Sequence, residues 1–88
     1  MTWKIEKHPQ GQVMTIRLIG RMQVQHLQHL ERLIDESGPA VALDLEELAL
    51  VDLEAVAFLG RCQEAGVPLL HCSQYISDWI GKERDKGK

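Results

Sequence analysis

The run "AVALDL", residues 40–45, constrains the chain more than any other stretch. Val41, Leu43 and Leu45 share one face of an extended segment, and the other face offers only Ala40 and Ala42 before Asp44. A short, nearly all-apolar strand of this kind needs a central position in a sheet, covered by helices. Helical patterns stand on both sides of it to supply that cover.

Upstream, "QVQHLQHLERLIDES", from Gln23 to Ser37, places Val24, Leu27, Leu30, Leu33 and Ile34 on one stripe of an amphipathic helix. Its glutamines and histidines face outward. Gly38 and then Pro39 stop it, the glycine by tolerating a left-handed backbone and the proline by preventing continuation. Downstream, a second helix starts at Asp52 and builds a broad apolar face from Leu53, Val56, Phe58, Leu59, Cys62 and Ala65. Ala57 and Gly60 let it approach its neighbours closely, and Gly66 ends it.

The chain opens with "TWKIEKHPQGQVMTIRLIG", two extended runs joined by turn chemistry, which predicts a β-hairpin. "VPLLH" reads as a further strand. Ser73 caps a last helix whose inward residues are Ile76, Trp79 and Ile80, and "GKERDKGK" is expected to fray. The order β-β-α-β-α-β-α predicts a small mixed-sheet α/β sandwich with right-handed crossovers. Residues 1–81 form its single domain and 82–88 a charged tail. The helix at Asp52 begins where its strand exits, the edge at which open α/β sheets place their functional sites.

With 88 residues the chain builds one modest core, and with 44% apolar and 26% charged residues it is an ordinary soluble globular protein. Its net charge of −3 comes from 13 acidic and 10 basic residues, interspersed along the chain. No positive strip follows a phosphate backbone, so nucleic acid is excluded as a partner. The first ten residues carry no signal-peptide core, and no run approaches the roughly 18 apolar residues of a membrane span. The expected compartment is the cytoplasm, without membrane insertion, for a monomer or weak homodimer.

Residue types that carry chemistry are present but scattered. Cys62 and Cys72 form no C-x-x-C pair and read as small buried or half-buried hydrophobes. His26 and His29 share a helix face but lack the further ligands a metal centre requires, so the pair reads as solvated and no metal or other cofactor is expected. His71 and Cys72 stand together at a strand end, and adjacent residues in a strand point to opposite faces, which separates a thiol from its base.

The remaining candidate is "LVDLEAV", residues 50–56. Asp52 and Glu54 have two readings: a helix cap with a second carboxylate favoured by the helix dipole, or a contact surface for a partner. Catalysis fits poorly, because two carboxylates on a first helical turn are wet rather than set apart in a pocket. Leu48, Leu50 and Leu53 cannot all point inward if the chain turns sharply at Asp52. Either they plug the top of the core, or an exposed leucine beside carboxylates serves a protein contact.

At this point the chain resembles the STAS domain family, found in anti-sigma factor antagonists, sulfate-transporter tails and single-domain subunits of bacterial lipid-transport complexes. "VMTIRLIGRM" looks like that family's second strand and turn, and "VALDLEELALVDLEAVAFLGRCQEAGVPLLHC" like its central strand, signature loop, helix and next strand. "SDWI" looks like its closing helix. The family's loop usually reads Asp-Ser-Ser-Gly or Asp-Ser-Thr-Gly, and its second hydroxyl residue is phosphorylated by a partner kinase. Here those positions are Asp52, Leu53, Glu54 and Ala55, and no Ser or Thr occurs between Ser37 and Ser73.

The resemblance implies a non-enzymatic regulatory domain that binds a protein through Leu50, Asp52, Leu53, Glu54, Ala55 and Val56. Glu54 occupies the phosphorylation-site position, so a permanent carboxylate supplies part of the charge of a phosphate and cannot be removed. The implied partner is an anti-sigma factor kinase-like protein. Two alternatives stay open: an accessory subunit braced against a lipid-transport ATPase, and a module for a small nucleotide or lipid.

Overall fold

The computed structural model describes residues 3–38 and 40–86. Strands β1 (Trp3–Gln10) and β2 (Val13–Met22) form the opening hairpin, in antiparallel register from Trp3 opposite Gly20 to Gln10 opposite Val13. Only Gly11 and Gln12 lie in the turn. Gly11 takes φ +64° while Gln12 stays at negative φ, the type II′ pattern whose twist matches the strands it joins. His8 and Pro9 belong to β1 itself, where an edge strand tolerates a proline.

Helix α1 (Val24–Glu36) follows, then β3 (Val41–Asp44), β4 (Leu48–Val51), α2 (Leu53–Glu64), β5 (Leu69–Leu70) and α3 (Gln74–Lys86). β3 and β4 both pair parallel to β2, one along its first half and the other along its end, and β5 pairs parallel to β3. The result is a mixed α/β sheet of the predicted class, with one strand more than the expected order contained. β4 escapes the sequence pattern because it is four residues long, with Leu48 and Val51 buried and Ala49 and Leu50 exposed. It docks on β2 only through a register shift between Gly20 and Arg21, and Gly20 supports that bulge with φ +97°.

The strand registers sort the side chains into two faces. Met14, Ile16 and Leu18 of β2 share a face with Trp3 and Ile5 of β1, Val41 and Leu43 of β3 and Leu69 of β5. These residues join one core with Leu30 of α1, Val56, Phe58 and Leu59 of α2, and Ile76 and Ile80 of α3. All three helices therefore cover the same side. The opposite face carries Glu6, Arg17, Asp44 and Leu70 in one row across four strands.

Three expectations are corrected. Val24, assigned to the buried stripe, is 55% exposed: it is the first residue of α1, and the stripe that packs on the core begins a turn later at Leu27. His26 is half-buried rather than solvated, its ring stacked on Trp3 at 4.4 Å and 8°. The tail does not fray from residue 82: α3 runs to Lys86, with Arg84 tied to Glu64 at 3.2 Å and to Gln63 at 3.3 Å on α2. Pro39 and residues 87–88, also assigned roles above, lie outside the described residues. Among the described residues no helix is long and apolar enough to cross a membrane.

Candidate functional site

The start of α2 is built around Asp52, which leaves β4 in an extended conformation at φ −100° and ψ 179°. That backbone aims its carboxylate back along the helix. Oδ1 accepts a hydrogen bond from the Ala55 amide at 2.9 Å, the N-cap bond expected from the sequence. Oδ2 accepts one from the Val24 amide at 3.1 Å, which the sequence did not reveal. One carboxylate thus satisfies free amides at the starts of both α1 and α2. The Asp52 amide donates to the Met22 carbonyl at 3.3 Å and closes the junction.

Around the half-buried Asp52 the other five candidate residues separate into two groups. Ala55 and Val56 are fully buried in the core and support the site from beneath instead of lining its surface. Leu50 and Leu53, at 39% and 53% exposure, stand in solvent on either side of Asp52, and Glu54 is exposed on the first turn. Leu48 points inward with 6% exposure, so the leucines split between plugging the core and facing water. A shallow depression of about 250 Å³ lies between Arg21, Gln23, Leu50, Val51 and Asp52. The exposed Val24 adjoins it through its bond to Asp52, a contribution from α1 that sequence separation conceals.

At the start of α1, the Gln23 amide donates to Nδ1 of His26 at 3.2 Å. That acceptor role requires the ring proton on Nε2. The stack on Trp3 fixes the ring plane, so His26 is a structural cap, and the exposed His29 does not join it.

A second group gathers where β3 and β5 end. His71 follows β5 with a left-handed backbone at φ 55°, and its Nδ1 lies 3.2 Å from Oδ1 of Asp44. Burial pushes the Asp44 carboxyl up, but the Glu46 amide donating to it, the His71 ring and the nearby Arg17 guanidinium outweigh burial. They hold it below the ordinary aspartate value. Arg17 reaches Glu46 at 3.2 Å and Glu47 at 2.8 Å.

The thiols are poorly placed for nucleophilic work. Cys62 is 8% exposed, and burial pushes its thiol up to about 11; burial raises Cys72 as well. His71 turns to Asp44, while Cys72 lines a separate depression with Gln63, Ser77 and Arg84.

No family model matches the chain, and no curated protein sequence does. Solved structures match its fold. An uncharacterised DUF3478-family protein with a SpoIIAA-like fold from Shewanella loihica PV-4 superimposes with a TM-score of 0.56 at 12% identity, over 98% of this chain and 79% of that one. The anti-sigma factor antagonist SpoIIAA in its unphosphorylated form superimposes with a TM-score of 0.52 at 14% identity, over 99% of this chain and 100% of that one. The chain therefore has the SpoIIAA-like fold.

Proposed function

We propose that this domain works by protein–protein contact at the start of α2, as a regulatory module of the anti-sigma factor antagonist type. Glu54 stands there as a fixed negative charge in place of a switchable phosphate. One observation carries the reading: Leu50 and Leu53 are exposed on either side of a helix start whose backbone is rigidly capped. Exposed leucines beside a carboxylate cost solubility and suit a partner that covers the apolar side chains and meets the charge. The likeness to SpoIIAA in fold supports the class, and the absence of any hydroxyl residue between Ser37 and Ser73 argues against a phosphorylation switch in the loop.

The test is capture from native cytoplasm with the wild-type domain, Leu53→Asp and Glu54→Arg, followed by affinity measurement with the purified captured protein. A sigma-factor regulator held by the wild type and weakened at least about tenfold by each exchange supports the reading. Equal retention by all three domains overturns it. A captured transport ATPase keeps the contact surface but changes the process it serves.

A further inference from the structure

The cluster at the ends of β3 and β5 has no part in the proposed contact. It brings together side chains that the sequence holds far apart: Asp44 closes β3, Glu46 lies in the turn that follows, and His71 leaves β5. One donor atom from each falls within 4.8 Å of the others. We propose that Asp44, Glu46 and His71 form an open binding site for a late first-row divalent cation of the zinc type.

The donor chemistry selects that class. One imidazole nitrogen and two carboxylates suit zinc and its neighbours, whereas magnesium and calcium prefer all-oxygen shells. Nδ1 of His71 and Oδ1 of Asp44 are 3.2 Å apart. Two donors on a tetrahedral zinc, each at about 2.0–2.1 Å, are separated by about 3.3–3.4 Å. The pair already has the spacing of one tetrahedral edge. A cation on Nδ1 needs that atom's lone pair, so the imidazole binds it as the Nε2–H tautomer, and the metal replaces the hydrogen bond between the two atoms. Glu46, with its side chain 59% exposed, completes the set by rotating inward.

Arg17 is the competing cation, and the structure supplies it with an alternative partner. Its guanidinium is closer to Glu47, at 2.8 Å, than to Glu46, at 3.2 Å, so releasing Glu46 leaves Arg17 paired. Asp44 is 16% exposed, while the side chain of His71 is open to solvent. Three protein donors with one side open leave a position for water or for a group from another molecule. Bound metal would tie the β3–β4 turn to the β5–α3 turn.

The experiment titrates the full chain with zinc chloride in a non-chelating buffer, read by calorimetry, by melting temperature and by NMR of the histidine ring signals. One equivalent should bind, moving the His71 signals while those of His8, His26 and His29 stay in place. A tenfold excess over Kd should raise the melting temperature by about 6–11 °C. Glu46→Gln, on an exposed side chain, should weaken binding at least about tenfold, and His71→Ala should abolish it. Cys72→Ser and His29→Ala should bind as the wild type does. The proposal fails if no saturable binding occurs, if the shifted signals belong to other histidines, if Glu46→Gln and His71→Ala bind normally, or if Cys72→Ser loses the metal. The wild-type NMR result decides even if His71→Ala does not fold.

Discussion

Asp52 serves two helices with one carboxylate, so its role in the fold and its role at the surface must be separated residue by residue. Asp52→Ala leaves the Ala55 and Val24 amides without their partner. It should cost about 2 kcal/mol in urea unfolding, the sum of a lost cap and a second lost hydrogen bond. Glu54→Gln, exposed on the same turn, should change stability by less than about 0.5 kcal/mol, since only a screened dipole interaction is lost. On the proposed function, partner affinity is the property that Glu54→Gln should change. The thiols diverge in the same way: in the native protein a thiol reagent at pH 8 should label Cys72, while Cys62 should react only on unfolding. The cap on α2 was legible in the sequence because its donor lies three residues from Asp52. The bond to Val24 spans 28 positions and follows from how β2 and β4 end side by side.

At the scale of elements, periodicity located the three helices, the hairpin and the central strand, since each buries one face over enough residues to show a period. β4 did not show, because four residues with both ends buried and the middle two exposed fit neither alternation nor a helical stripe. Its place depends on the bulge at Gly20, where a side chain would be strained at φ +97°. Gly20→Ala should therefore destabilise the protein by on the order of 1–3 kcal/mol in chemical denaturation. Gly60 behaves oppositely. It lies inside α2, and a Cβ placed there would meet Ile80 Cγ2 at 3.7 Å, an ordinary contact. The close approach of α2 and α3 does not require a glycine, and Gly60→Ala should stabilise by about 0.5–1 kcal/mol by the same measurement.

At the scale of the whole molecule, the helices crowd onto one face of the sheet and leave the other to solvent with a row of alternating charge. Glu6 stands opposite Arg17, and Arg17 opposite Asp44, across three strands. These residues lie 11 and 27 positions apart in the chain, and only the register shows that opposite charges meet. Both carboxyls are held below their ordinary values: Glu6 by hydrogen bonds from Lys4 and His8, and Asp44 against its burial by the Glu46 amide, His71 and Arg17. A carboxyl depressed in the folded state binds its proton less readily there than in the unfolded chain. Its stabilisation is therefore complete above the unfolded value near 4 and is lost as pH falls through the lower folded value. Melting temperature should drop as the solution is acidified below about pH 4. Asp44→Asn should lower stability at pH 7 and make that acid limb shallower. An unchanged limb would mean that Asp44 adds nothing to acid stability and that the limb belongs to Glu6 and the other carboxyls.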